Sequence, residues 1–117
     1  MKNYKQYIIK KHYHISEIIG QRQVNGNKYF TVYKAENEHD HFRYAISIGR
    51  KYGKAVERNR IKRQIHHIIY QLSSEIHLNY DIVIIVKPQA KELKTFQDIK
   101  NQLEHVLKKA KIIMREE

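Results

Sequence analysis

Residues 50–63 read R-K-Y-G-K-A-V-E-R-N-R-I-K-R, a basic segment that also contains the start of a predicted helix. Seven of its side chains are cationic, and Glu57 is the single carboxylate. Surface helices usually mix charges of both signs and form spaced ion pairs, whereas this segment has almost no acid to pair with. We therefore predict that it meets a polyanion, for which a phosphate backbone is the first candidate.

Apolar residues recur at steps of three and four after Arg60, which predicts an amphipathic helix over residues 55–77. At about 100° per residue, burial of this stripe turns the basic residues outwards on the opposite side. Arg58 falls in the apolar sector, so we expect it to leave the core sideways at the first turn. The stripe contains Ile61, Ile65, Ile68, Leu72 and Ile76; the outward residues are Asn59, Arg60, Arg63, His66 and His67, with Lys62 at the flank.

The chain before this segment predicts an arm, a short helix and two strands. Residues 1–11 are basic and aromatic and form either a strand-binding arm or a frayed end. Residues 12–19 have helical spacing, and residues 21–27, with Asn25-Gly26 as a turn signal, are assigned to a loop. Residues 28–35 and 42–49 alternate between apolar and polar side chains, which predicts two paired strands.

The chain after the basic helix predicts one more strand and one more helix. Residues 81–86 are apolar on both faces, as in a central strand that is covered on both sides. Thr95 is a predicted N-cap with Asp98 three residues later, and a helical stripe continues to Ile113. The order helix, strand, strand, helix, strand, helix predicts a single α+β domain over residues 1–117. A three-layer unit is too large for this length, so we expect one sheet backed by helices.

Composition narrows the classes of partner. The 117 residues carry a net charge of +11, which favours nucleic acid first and an anionic membrane second. No stretch approaches 18 apolar residues and residues 1–7 contain no signal-peptide core, so we expect a cytoplasmic protein. The absence of cysteine excludes disulfides, thiolate metal sites and a cysteine nucleophile.

Aromatic residues mark a second candidate surface. Tyr29, Thr31 and Tyr33 share one predicted strand face, with Arg43 and Ser47 beside it. Such a face can stack unpaired bases, although tyrosine also favours strands for reasons of packing alone. Both interpretations stay open at this point.

The eight histidines do not predict a catalytic or metal site. His66 and His67 point about 100° apart on a helix, and His39-x-His41 lies on a polar loop, so we expect ordinary surface histidines. Asp40, Asp81 and Asp98 lie in unrelated elements, which argues against a two-metal nuclease.

Residues 53–63, G-K-A-V-x-R-N-R-I-K-R, with Arg50 and Lys51 just before them, closely resemble the motif of the bacterial ribonuclease P protein subunit. The resemblance extends from about Lys10 to the C-terminal helix. It implies an α-β-β-α-β-α sandwich, ribosomal protein S5 domain 2-like. Its β-α-β crossover would be left-handed, whereas about 98% of such crossovers are right-handed.

The resemblance also implies a function. A subunit of this kind assists removal of the 5′ leader from precursor tRNA, while the RNA subunit, with magnesium, carries the hydrolysis and the protein alone is inactive. The implied partners are the catalytic RNA and precursor tRNA. The implied contacts with the catalytic RNA are Arg50, Lys51, Lys54, Arg58, Asn59, Arg60, Lys62 and Arg63.

A cleft between the first helix and the sheet would hold the single-stranded leader. Phe30 and Tyr33 match the family pattern, while Ile15 and Ile19 occupy positions where many members have phenylalanine. The predicted cleft residues are Lys10, Lys11, Tyr13, Ile15, Ile19, Tyr29, Phe30, Thr31, Tyr33, Arg43 and Ser47.

Two other classes of function remain as alternatives. A non-catalytic RNA-binding module, such as a ribosomal protein or RNA chaperone, would have the same composition. A DNA-binding helix-turn-helix protein would need a short helix just before residue 55, where the sequence predicts a strand.

Overall fold

The computed structural model describes residues 4–113, so Lys2 of the predicted arm and the last residues of the predicted domain lie outside the described part. The predicted order of elements is confirmed, with one additional short strand. In chain order the elements are α1 (His12–Gly20), β1 (Val24–Gly26), β2 (Phe30–Glu36), β3 (Arg43–Ile48), α2 (Ala55–Leu72), β4 (Tyr80–Val86) and α3 (Phe96–Lys109). Short 3-10 turns lie at Tyr4–Tyr7, Arg50–Tyr52, Ser73–Glu75 and Pro88–Glu92.

The four strands form one mixed sheet in the order β1-β2-β4-β3. β4 lies between β2 and β3, antiparallel to β2 and parallel to β3. The predicted pairing of β2 with β3 is therefore wrong, because alternation shows which side chains share a face and not which strands are neighbours. β4 takes the centre because its apolar residues need cover on both faces. Since β3 and β4 are parallel, α2 is a crossover helix, and its left hand stays a prediction.

Helices cover both faces of the sheet. The main core lies between the sheet and α2 with α3, and it contains fully buried Phe30, Tyr44 and Ile84. A second, smaller cluster lies on the α1 side and includes Ile18 and Val83. The expectation that a third layer would not fit is wrong, because α1 has only nine residues and needs to cover only part of a sheet face.

The turn before β2 is built by Asn27 and not by Asn25-Gly26. Asn27 Oδ1 accepts hydrogen bonds from the backbone N–H groups of Tyr29 and Phe30, both at 2.9 Å. Its Nδ2 donates to the Gln102 carbonyl oxygen on α3 at 3.1 Å. Residues 24–26, predicted as loop, consequently pair with β2 as β1.

The helix ends differ slightly from the periodic stripes. Thr95 caps α3 as predicted, its Oγ1 accepting from the Asp98 N–H at 3.0 Å. α2 ends at Leu72 and α3 at Lys109, although the stripes continue to Ile76 and Ile113. These two isoleucines are buried in the main core, and their backbones pair in an isolated antiparallel bridge.

The segment before α1 is joined to the outer edge of β3. Ile8 forms a parallel bridge with Tyr44, and the Ile9 N–H donates to the Tyr44 carbonyl oxygen at 2.9 Å. The Tyr7 ring stacks on Phe42 with centroids 5.1 Å apart. This part of the predicted arm therefore packs against the domain, and Tyr7 serves packing.

Candidate RNA interface

The basic side chains of α2 and the turn before it form an exposed surface, which we name the basic face. Among residues 4–113 none of its exposed cations forms an ion pair. Because unpaired cations keep their full charge for a ligand, this surface is suited to a polyanion. Its exposed members are Arg50, Lys51, Lys54, Asn59, Arg60, Lys62 and Arg63.

Glu57, the one acid of this segment, stabilises the first turn of α2. Its Oε1 accepts from the Lys54 backbone N–H at 2.9 Å, and its Oε2 lies 3.1 Å from Lys91 Nζ. The Lys54 hydrogen bond and then Lys91 lower the pKa of Glu57. A Cβ at Gly53 would displace this carboxylate, so glycine leaves room for Glu57 in its present position. The acid therefore leaves the arginines of the basic face unpaired.

Arg58 differs from its neighbours on the basic face, as its place in the apolar sector predicted. It is partly buried, and its Nη1 donates to the Gly53 carbonyl oxygen at 3.2 Å. Arg58 therefore braces the turn that precedes α2. It also lines a small cavity with Asn59, Lys62 and the edge residues Ile46 and Ile48, so one side of its chain stays close to the surface.

His66 does not lie on the outward side of α2, contrary to the helical-wheel prediction. Its Nδ1 and the Tyr44 hydroxyl are hydrogen-bonded at 2.7 Å, so the ring is turned towards β3. Burial, with a smaller effect of Lys62, lowers the pKa of His66. The neighbouring His67 is exposed, and its ring lies against Phe96 at a centroid distance of 5.5 Å.

The sheet face under α1 consists of three rows of side chains, each running across β2, β4 and β3. The register aligns Ala35 with Asp81 and Arg43, then Tyr33 with Val83 and Ala45, then Thr31 with Ile85 and Ser47. In the first two rows the members on β4 are buried, and they lie in or beside the α1 cluster. In the third row Thr31 and Ile85 are partly exposed and Ser47 is exposed.

The third row forms a partly exposed strip of the sheet beside the α1 cluster, and we name it the open strip (Thr31, Ile85 and Ser47). Ile15, Ile19 and Tyr33 pack partly buried against the α1 cluster and form its apolar surroundings. Ile85 was missed by the sequence prediction, because a strand that is apolar on both faces does not reveal which end is uncovered. One strip of this face thus stays open to solvent while the core occupies more of the face than expected, and the leader-binding cleft stays a prediction.

Two predicted cleft residues lie on the other side of the sheet. Phe30 is fully buried in the main core, so it cannot contact a ligand unless the domain opens. Tyr29 precedes β2 and packs against the same core. The strand was predicted two residues too early, which placed Tyr29 in register with Thr31 and Tyr33.

Arg43 is also unsuited to the predicted contact with RNA. Its Nε and Nη2 donate to the two carboxylate oxygens of Asp81 at 2.9 and 2.6 Å. Asn37 Nδ2 donates to the same carboxylate at 2.7 Å. The side chains of Arg43 and Asp81 are only 20% and 10% exposed. This pair closes one end of the sheet face, and its charge is neutralised within the protein.

The start of α1 keeps its predicted residues at the surface. Lys10 and Lys11 are exposed, and Tyr13 is 56% exposed. Lys11 Nζ lies 5.7 Å from the centroid of the Tyr13 ring, within the range of a cation–π contact. A cation and an aromatic ring thus lie together on one exposed surface.

The described residues contain no cluster of side chains that could hold a metal ion. Between residues 4 and 113, no three histidine, aspartate or glutamate side chains are grouped closely enough to hold a metal ion. The ring centroids of His39 and His41 are 5.6 Å apart on the polar loop. None of the helices in this part of the chain is long and apolar enough to cross a membrane.

Comparisons with known proteins agree with the basic motif. A family model described as Ribonuclease P matches residues 4–111. The ribonuclease P protein component of Acholeplasma laidlawii is 40% identical over 110 residues, which cover 94% of this chain and 94% of the relative. That of Mesoplasma florum is 46% identical over 88 residues, 74% of this chain and 78% of the relative.

Solved structures give the same result for the fold. An RNase P protein from Staphylococcus aureus has a TM-score of 0.85 at 42% identity, covering 92% of this chain and 97% of its own. The RNase P protein from Thermotoga maritima has a TM-score of 0.79 at 28% identity, covering 86% and 94%. Family, sequence and fold agree over almost all of the described residues, and the chain therefore belongs to the ribonuclease P protein family.

Proposed function

We propose that the basic face binds the catalytic RNA of ribonuclease P and that the cleft beside α1 binds the 5′ leader of precursor tRNA. In this proposal the RNA subunit holds the magnesium and performs the hydrolysis. The protein supplies no catalytic group, and it works in the cytoplasm with these two RNAs as its partners.

One observation carries the proposal: two separate surfaces suit two different kinds of RNA. The basic face offers unpaired cations, which bind a phosphate backbone irrespective of sequence. The open strip offers hydroxyl groups and an apolar surface beside partly buried Tyr33, which suits unpaired bases of a single strand. Lys62 of the basic face also lines a cavity with Ile15 and Ala45, residues of the α1 side of the sheet.

The division of surfaces explains how a protein without catalytic groups can assist cleavage. Cations that neutralise phosphates reduce the repulsion between two RNAs, so less magnesium is needed to bring them together. Only the precursor has a leader, and contacts in the cleft therefore favour substrate over product.

The first test is cleavage of 5′-labelled precursor tRNA by a bacterial ribonuclease P RNA at limiting magnesium, with and without the protein. We expect the protein alone to be inert and the mixture to cleave at the correct position. Equal binding of precursor and mature tRNA without any effect on cleavage would instead indicate a general RNA-binding module. Cleavage by the protein alone would refute the assignment of hydrolysis to the RNA.

The second test separates the two surfaces with matched variants. Ser47→Asp places a carboxylate in the open strip, while Ser74→Asp makes the same change at an exposed serine in the turn after α2. We expect Ser47→Asp to weaken precursor binding by on the order of 1 kcal/mol, about five-fold, with little effect on mature tRNA. Equal effects of the two variants on precursor and mature tRNA would refute a leader site at the open strip.

A further inference from the structure

A cavity of about 240 Å³ lies between α2 and the segment that leads into α3. Its apolar lining includes Ile61 and Ile99, which are buried in the main core. The polar lining comes from two parts of the chain, with Arg60 and Gln64 on α2 and Lys91 and Lys94 on the other side. Of the cations around the cavity, only Arg60 belongs to the basic motif.

The charges around this cavity favour an anion. Three cations face one carboxylate, that of Glu57, which already accepts from the Lys54 N–H and pairs with Lys91. Lys94 Nζ lies 3.4 Å from the Lys91 carbonyl oxygen, a contact that holds its ammonium beside the cavity. Arg60 and Lys94 thus keep a positive charge that no acid among residues 4–113 neutralises.

The remaining lining supplies neutral hydrogen-bond donors. Gln64 carries an amide, and Tyr52 carries a phenol on a side chain that is 9% exposed. The Tyr52 hydroxyl is protonated at neutral pH, as tyrosine hydroxyls are, and burial raises its pKa further. Donors and cations that converge on a concave site of this size match a phosphate group, which accepts several hydrogen bonds at once.

We propose that this cavity binds a phosphate group of the RNA backbone. The argument for RNA is continuity, because Arg60 lines the cavity and is part of the basic face. The inference rests on the proposed function and extends it, since Lys91, Lys94, Gln64 and Tyr52 join the binding surface. A contact on this side of α2, together with Lys62 on the β3 side, fixes the rotation of the protein about the α2 axis on its RNA.

The first experiment measures affinity for a bacterial ribonuclease P RNA at several salt concentrations. Gln64→Glu adds a negative charge inside the cavity, and Gln71→Glu adds the same charge about two turns further along α2. Lys94→Gln removes a cation from the cavity, and Lys111→Gln removes one just beyond the other end of α3. The two members of each pair change the net charge equally.

We expect Gln64→Glu and Lys94→Gln each to weaken binding about five-fold, and the two control variants less than two-fold. Lys94→Gln is also expected to reduce the slope of log affinity against log salt by about one unit, as for a lost phosphate contact. Gln64→Glu places its carboxylate beside three cations, so we expect the fold to stay stable, and circular dichroism separates a loss of affinity from unfolding.

Equal affinities for Gln64→Glu and Gln71→Glu would overturn the inference while leaving the proposed function intact, provided that the unaltered protein binds the RNA. Failure of the unaltered protein to bind or assist the RNA would instead refute the proposed function. The two failures are therefore distinguishable.

A second experiment uses inorganic phosphate alone as the probe and follows backbone amide shifts by NMR at constant ionic strength. We expect shifts centred on Tyr52, Gln64 and Leu93 that weaken in Lys94→Gln. Shifts spread evenly over the basic face would overturn the site. Phosphate binding in the cavity combined with unaltered RNA affinity of the variants would overturn the RNA backbone as its source and indicate a free phosphate compound.

Discussion

The ion pair between Arg43 and Asp81 provides the sharpest test of what the structure adds to the sequence. The sequence assigns Arg43 to the RNA-binding cleft, whereas the structure ties it to Asp81 through two hydrogen bonds of 2.9 and 2.6 Å. We predict that Arg43→Met, which keeps most of the apolar stem, destabilises the fold and leaves leader affinity unchanged.

The expected loss follows from the burial of the pair. Arg43→Met leaves the Asp81 carboxylate, 10% exposed, with the Asn37 amide, which donates to it at 2.7 Å. Breaking a fully buried pair costs about 3–5 kcal/mol, and the 20% exposure of Arg43 reduces this through solvent screening to about 3 kcal/mol. With an m-value of about 1.5 kcal/mol/M, the urea midpoint falls by about 2 M.

The assay is urea unfolding followed by circular dichroism, with a double-mutant cycle. Asp81→Asn is expected to destabilise by a similar amount, and the double variant to be no less stable than either single variant, since both charges are then removed. Arg22→Met, at an exposed arginine before β1, is the matched control and should change stability by less than about 0.5 kcal/mol. Unaltered stability of Arg43→Met together with weaker leader binding would refute this reasoning and restore Arg43 to the cleft.

Three other predictions concern stability. Thr95→Ala removes the N-cap of α3 and should cost about 1 kcal/mol in urea unfolding; an unchanged midpoint would show that the cap contributes nothing. Asn27→Ala removes the acceptor of two backbone N–H groups and the link to α3. We expect it to lower the free energy of unfolding by about 2–3 kcal/mol and to speed hydrogen exchange in β1. Protected β1 amides would contradict this. Because burial lowers the pKa of His66, the unfolded chain takes up this proton at a higher pH than the folded chain. The stabilising contribution of the neutral ring is therefore complete above about pH 6.5 and is lost as the pH falls below that value. His66→Gln should flatten this part of the profile, and a proton NMR titration that places the His66 midpoint above 6.5 would refute the sign.

Local features of the fold could be predicted from the sequence because their causes are local. Isoleucine spacing in α2, the Thr95 cap and the two-sided apolar run of β4 act within a few residues, and each is confirmed. The pairing of strands could not be predicted in the same way. β4 enters between two strands that are closer to each other in the chain, and nothing in their alternation shows this insertion.

The residues of the candidate site fall into the same two groups: those whose roles have local causes and those whose roles depend on distant parts of the chain. The basic face could be predicted from the sequence because its cations are close together in the chain and do not depend on a distant partner. The fate of Arg43 depends on Asp81, 38 residues away, and becomes visible only once β3 and β4 are aligned in register. Tyr29 was misassigned because the strand was predicted to begin at residue 28. β2 begins at Phe30, so Tyr29 lies in the turn made by Asn27. The role of Ile85 required knowledge of where α1 stops covering the sheet.

The central position of β4 has a consequence for how the chain folds during synthesis. The ribosome makes β1, β2 and β3 first, yet β2 and β3 gain a shared neighbour only when residues 80–86 emerge. Until then β2 and β3 each carry an unpaired apolar edge, which exposes the nascent chain to wrong pairing. The basic segment at the start of α2 is also synthesised before β4, so the apolar residues of α2 stay exposed until β4 completes the sheet on which they pack.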